Sequence, residues 1–403
     1  MQARKSIFLY TALFYTLYVM FPLFGDLANL PVWLPSMLAV VVMFVLYPKA
    51  FLNNRVMKWF LVYAMVLGFY VIIGKPLTIG IGTVADSKKI FIEFAYILPA
   101  IGGFSIFYHL KDYNLTKKYV IWSIIILYAS FVVVLPLMVQ YNSLREALSE
   151  LDDALIIPGL PGYSLMHAYT LFLPAVCYAV KMNAGYKKML WIVGFVALLV
   201  VVYSTFVTTS LVIALAIIVL AFTNNGTLSS SYWFIIIGVA LSLFILYESG
   251  AFLSILNSVY PLFEGTAVEP KLEDIRASLM GGSIQGDSLV VRRQLHVKSW
   301  DAFASSPIWG IPDVGGHSSI LDRLGGLGLL GGMPFLMIFI SFYQLVRRWF
   351  LNSQIWFFFL LGFLAGIVYL YQKGLWGSES WLMLMVLMPM TLWVLSKDHE
   401  KEA

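Results

Sequence analysis

Charge is scarce in this chain. Asp, Glu, Lys and Arg make up 12% of its 403 residues and hydrophobic residues 61%, whereas soluble chains carry about 25% charge. With a mean hydropathy of +0.86, that composition excludes a soluble globular protein. Cysteine is almost missing: Cys177 is the one thiol, inside an apolar run, which excludes an internal disulfide and a cysteine-built metal site. Neither His-x-x-x-His nor Asp-x-Asp occurs, so no metal site is expected, and no metal-bound nucleotide-sugar donor. The net charge of +5 comes from short basic clusters scattered between apolar runs. Such clusters report membrane topology, not nucleic-acid binding. Repeats, low-complexity tracts and flexible linkers are also lacking, so residues 1–403 read as one integral membrane domain.

What the sequence has is long apolar runs. Using about 17 to 25 residues per span, about twelve transmembrane helices are expected, over 6–25, 30–48, 59–74, 90–108, 119–139, 164–180, 189–206, 208–223, 232–249, 328–346, 355–372 and 381–396. The uncharged stretch from Met189 to Thr223 is read as two spans turning at Thr208-Thr209-Ser210. The first run follows Arg4-Lys5, lacks a small-x-small cleavage pattern and reads as a retained span. With the N-terminus inside, the inner segments hold Arg4, Lys5, Lys49, Arg55, Lys58, Lys111, Lys117, Lys118, Lys181, Lys187, Lys188, Arg347, Arg348, Lys397 and Lys401. The short outer loops hold only Lys75, Lys88, Lys89, Arg145 and Lys373. By the positive-inside rule both termini are cytoplasmic, and the loops at 140–163 and 250–327 face outward. Each outer loop should carry a surface helix, from Ser143 to Leu155 and from Pro270 to Leu279.

The larger loop ends in the most chemically loaded stretch, Ser288 to Gly332. A helix capped by Asp287 or Ser288 should run to about Ser305, stopped by Pro307. On it Arg292, His296, Ser299 and Phe303 share one face, with Arg293 one position round. Beyond Pro307-Ile308-Trp309-Gly310, the Gly315-Gly316 pair allows a sharp turn that brings His317 to the start of a second helix, with Ser319-x-x-Asp322 as a capping box. A helix N-terminus beside arginines suits a phosphate. An arginine pair near a membrane serves equally well as a headgroup anchor. His296 is expected at the surface. Glu93, inside the fourth run, is either functional or paired with Lys89 near the interface. His167, one turn into the sixth run, could face a cavity or a neighbouring helix.

The run from Arg292 through Pro307-Ile308-Trp309-Gly310, Gly315-Gly316-His317-Ser318-Ser319-Ile320-Leu321-Asp322 and Gly328 resembles the signature of the O-antigen polymerase and ligase superfamily. That resemblance implies an all-α polytopic membrane protein of GT-C-like glycosyltransferase architecture. It also implies a large late periplasmic loop carrying the active site, in the bacterial inner membrane. It implies metal-independent glycosyl transfer from an undecaprenyl-diphosphate-linked glycan, without a cofactor. A polymerase joining repeat units is favoured over a ligase acting on lipid A core, because His-Ser stands where ligases more often have His-Asn. A lipid-linked oligosaccharide flippase or other transporter is the reading from another class. Under the enzyme reading, Arg292 and Arg293 hold the diphosphate, His317 orients or deprotonates the acceptor, and Asp322 supports His317 or acts as base. Trp300 and Trp309 stack on sugar rings. Relatives carry an arginine after Thr-x-Ser in a middle span, where this chain has Leu211; Arg145 is the expected substitute. Membrane lipids and a polysaccharide chain-length regulator are the expected partners.

Overall fold

The computed structural model describes residues 2–28, 30–31, 33–77, 86–140, 159–204, 208–223, 251–264, 269, 272–273, 276, 289–350, 353–372 and 377–402. Among these, the regular structure is all helical: α1 (Gln2–Met20), α2 (Pro22–Ala28), α3 (Trp33–Leu46), α4 (Pro48–Leu52), α5 (Arg55–Ile72), α6 (Asp86–Leu110), α7 (Tyr113–Gln140), α8 (Tyr163–Met182), α9 (Gly185–Ser204), α10 (Thr208–Thr223), α11 (Ala251–Val259), α12 (Leu289–Ser305), α13 (Ser319–Trp349), α14 (Ser353–Gln372), α15 (Ser378–Leu382) and α16 (Met388–Glu402). The last two join through a π turn, Met383–Leu387.

This is a multi-pass helical membrane protein. Among the described residues, eight helices are long and apolar enough to cross a bilayer, with α15 to α16 counted as one, and up to nine if α1 and α2, bent by 95°, make a single broken span. Helix α3 and most of α10 are apolar but shorter. The expected run at 232–249 and the surface helix at 143–155 lie outside the described residues. Of the surface helix expected from Pro270, only 272–273 and 276 are described, all helical.

Helix α8 is the axis of the bundle. Every residue from Leu165 to Val180 is buried, the polar His167 and Thr170 included, and α9, α10, α14, α15 and α16 pack around it. His167 therefore sits in the core, its ring 4.3 Å from that of Tyr369. On the far flank α5 and α13 lie side by side and antiparallel. At one end the Tyr70 hydroxyl reaches the Leu327 carbonyl at 2.8 Å. At the other, Arg55 shares a groove with Arg347 and Arg348.

Helix α13 is not one rod. At Gly328 the backbone leaves helical geometry (φ 60°, ψ −163°), in a region open essentially to glycine alone. A Cβ there would lie 2.2 Å from the Ile308 carbonyl oxygen. The groups freed by the break are bonded from the Pro307 loop: Leu329 N–H donates to the Pro307 carbonyl (2.7 Å) and Leu330 N–H to Ile308 (3.3 Å), while Ile311 N–H donates to Gly325 (2.7 Å). The chain reverses at the break, bringing the Arg323 guanidinium 4.2 Å from the Phe335 ring. Twelve positions along a straight helix would separate them by roughly 18 Å. Residues 319–327 thus form a half-helix folded back against the bundle.

Candidate active site

The half-helix begins where the glycine turn delivers it. Ser318, extended at φ −129°, is its N-cap, accepting from Leu321 N–H at 3.1 Å. The capping residue is one place earlier than the Ser319 expected from sequence. The Asp322 carboxylate completes a wider version of the expected box. One oxygen accepts from the Ser299 hydroxyl (2.6 Å) and Gly316 N–H (3.2 Å), the other from Ser318 N–H (2.8 Å). Ser299 also accepts from Gly315 N–H at 2.9 Å. The result is a lattice of bonds tying α12, the diglycine turn and the half-helix together. Gly315 must be glycine here, because a Cβ would stand 2.1 Å from the Leu295 carbonyl oxygen.

The turn so held carries His317. Its ring lies 6.4 Å from that of His296, which in turn lies 5.2 Å from the ring of Tyr371 at the end of α14. His296, expected at the surface, is instead partly buried beside His317. The shared helical face was the right signal: the face that carries Ser299 to Asp322 carries His296 to His317. Tyr371 joins from another helix, with no local cue in the sequence.

Of the other expected site residues, the structure describes the side chains of Arg293, Trp300 and Trp309. Arg293 is exposed and lines a groove of about 620 Å³ with Lys298, Asp301, Ile311 and Asp313, which neither histidine lines. Lys298 and Asp313 form an ion pair across it. Arg292 belongs to α12, but its side chain, like all of Arg145, lies outside the described residues. Trp300 is 54% exposed and packs on Phe303 with ring centroids 5.5 Å apart. Trp309 is 47% exposed, its ring tilted over Phe69 and Tyr70 at 6.3 Å. The Trp309 carbonyl also accepts from the Lys75 ammonium, and burial pulls that ammonium below the usual lysine range.

Beneath the turn lies a residue that the sequence reading passed over. Arg323 is buried. Its guanidinium pairs with Glu93 and donates to the Tyr63 hydroxyl (3.1 Å) and the Ser319 carbonyl (3.0 Å). Tyr63 in turn donates to Glu93 at 3.1 Å. Glu93 is therefore paired, but not with Lys89, whose ammonium donates to the Leu77 carbonyl at 2.7 Å. An ionisable residue among apolar ones was the available signal for Arg323. Among the described residues no group of three or more His, Cys, Asp or Glu stands ready to hold a metal ion. No protein-family model matches the chain, and no curated protein resembles it significantly in sequence.

Proposed function

We propose that this chain is a surface-polysaccharide polymerase of the O-antigen type. It joins oligosaccharide units carried on undecaprenyl diphosphate at the periplasmic face of a bacterial inner membrane. The reading takes about twelve spans in a GT-C-like arrangement, with both termini cytoplasmic. The observation that carries it is the meeting of His296 and His317, ring centroids 6.4 Å apart, on a turn clamped by Asp322 and Ser299. Polar groups so gathered at one end of an apolar bundle suit chemistry at an interface better than passage through it, since transport folds place polar residues at mid-span.

In the reaction, the acceptor sugar hydroxyl attacks the anomeric carbon of the donor. A new C–O bond forms as the bond to the lipid diphosphate breaks, and the diphosphate leaves with the bonding pair. His317 takes the acceptor proton, its imidazole having an intrinsic pKa near neutrality. Asp322 works through His317: its carboxylate is committed to the hydrogen bonds that shape the turn, which makes it a positioning residue. Arg292, Arg293 and Arg145 hold the diphosphate, whose charge must be neutralised for it to depart. Trp300 and Trp309 present exposed aromatic faces on which sugar rings stack. Membrane lipids surround the protein, and a chain-length regulator is its proposed partner.

The test is the glycan profile of a deletion strain carrying either the wild-type or the His317→Ala chain. A single repeat on lipid A core, without a ladder, is the result expected for the variant. Loss of all capped core with polymer left on its lipid carrier would make the protein a ligase. An unchanged ladder would remove His317 from the mechanism and favour a transporter.

A further inference from the structure

The bundle holds a second built feature. A groove of about 1000 Å³ runs between α13 and α14, with Ile320 of the half-helix at one end and Arg55, Arg347 and Arg348 at the other. Its walls are apolar, with Ile340 and Phe363 among them. From Leu336, level with Ile320, to Arg347 is about eleven helical steps, or roughly 17 Å, a length suited to an acyl chain.

All three arginines are exposed. None is paired with a carboxylate among the described residues. The Arg347 guanidinium lies 6.0 Å from the Trp356 ring, and an arginine and a tryptophan together mark the level of lipid headgroups. Three guanidinium forks at the mouth of a tail-shaped apolar groove match one ligand chemistry, a phosphodiester carried on hydrocarbon.

We infer that this groove binds an anionic glycerophospholipid. Its phosphodiester is held by Arg55, Arg347 and Arg348, and one acyl chain lies along α13 as far as Ile320. The chain end then touches Ile320 in the first turn of the half-helix, two residues after the Ser318 cap and two before Asp322. An occupied groove supports the half-helix from the side opposite α12. It ties the geometry of the histidine turn to the anionic lipid content of the leaflet at the other end of α13.

Native mass spectrometry of the detergent-solubilised full chain tests this, with phosphatidylglycerol or phosphatidylcholine of identical acyl chains as probes. The wild type should retain phosphatidylglycerol in preference to phosphatidylcholine. The Arg55→Gln/Arg347→Gln/Arg348→Gln chain should lose at least about tenfold of that retention. Ile340→Trp, which fills the groove and leaves every charge in place, should lose it too. Lys49→Gln/Lys118→Gln, which removes exposed cations outside the groove, should not. Should the triple variant fail to fold, Ile340→Trp and a dihexanoyl phosphatidylglycerol probe decide the matter, since a site that grips the tail discriminates against the short chain. Equal retention of the two headgroups, equal loss in the lysine variant, indifference to Ile340→Trp or equal binding of the short-chain probe would each overturn the inference.

Discussion

Arg323 and Glu93 form an ion pair whose side chains are only 8% and 10% exposed, joining the half-helix to α6. Tyr63 of α5 bonds both partners, so three elements meet at one buried charge pair. Burying two ions gives little net stabilisation over a well-packed apolar contact. Removing one partner, however, strands the other. Glu93→Gln and Arg323→Gln should each cost about 3–5 kcal/mol, and the double variant should be clearly less damaged than the sum of the two. Thermal unfolding of the purified single and double variants in one detergent measures this coupling. Strict additivity would mean that the pair is not what anchors the half-helix.

The reversal at Gly328 makes a second, sharper prediction. Gly328→Ala forces a Cβ into the Ile308 carbonyl in a conformation that L-residues avoid, and what it meets is backbone that cannot swing away. Gly68 of α5 has helical backbone and nothing within 4 Å of its Cβ position. Gly68→Ala should therefore be neutral or stabilising by about 0.5–1 kcal/mol. Gly328→Ala should yield little monodisperse protein. Size-exclusion profiles of the two variants, expressed in parallel, decide it; equal yields would mean that the break does not need glycine.

At the opposite end of the bundle, the Lys5 ammonium donates to the Asp112 carboxylate at 2.6 Å, and Asp112 also accepts from Leu115 N–H at 3.1 Å, at the start of α7. The hydrogen bond from Lys5, opposed by partial burial and helped by Leu115, holds the Asp112 carboxyl below the usual carboxylate range. A depressed folded pKa stabilises the fold above the unfolded value of about 4, and that contribution disappears as pH falls through the folded value. Both side chains are partly exposed, so the effect is about 0.5–1 kcal/mol. Wild-type thermal stability should accordingly hold from neutrality down to about pH 5 and fall below about pH 4. Asp112→Asn should remove that part of the acid loss while lowering stability at neutral pH. An acid profile identical to wild type in Asp112→Asn would show that the pair does not contribute.

How far the sequence could be read depended on how local each determinant was. The C-terminal end of α12 was legible because Pro307 acts within a turn of where it stands: the helix was expected to run to about 305, and it ends at Ser305, while the expected cap, Asp287 or Ser288, lies outside the described residues. The second helix start was legible to within one residue for the same reason. The reversal at Gly328 was not. A span was expected to start at Gly328, but nothing local showed that the chain reverses there, because the carbonyls that stabilise the break belong to Pro307 and Ile308. The Lys89 partner weighed for Glu93 was a neighbour in sequence, whereas the partner found, Arg323, arrives through the fold. The pairing of the histidines lay between these cases. The helical face of His296 was visible, but the turn that carries His317 onto that face is set by Asp322 bonding upstream to Ser299.

That bond yields the most direct test of how the turn works. Asp322→Asn keeps size and shape but replaces one acceptor oxygen with an NH2 group, so that either Ser299 and Gly316 or Ser318 loses its acceptor. Ser299→Ala leaves the carboxylate in place but removes its donor on α12 and the acceptor of Gly315 N–H. A hydrogen bond to a charged group is worth about 1.5–3 kcal/mol. If Asp322 acts by holding His317, the loss should appear in turnover and not in donor affinity. Asp322→Asn should lower kcat about 10- to 100-fold with little change in KM. Ser299→Ala should fall in the same direction by less. Both should keep the wild-type shape of the kcat against pH curve, because the proposed base, His317, is untouched. An Asp322→Asn enzyme whose pH profile loses its acidic limb would instead identify Asp322 as the base, and His317 as its orienting partner. Steady-state assays with a lipid-diphosphate oligosaccharide, from pH 5 to 9, separate the two assignments.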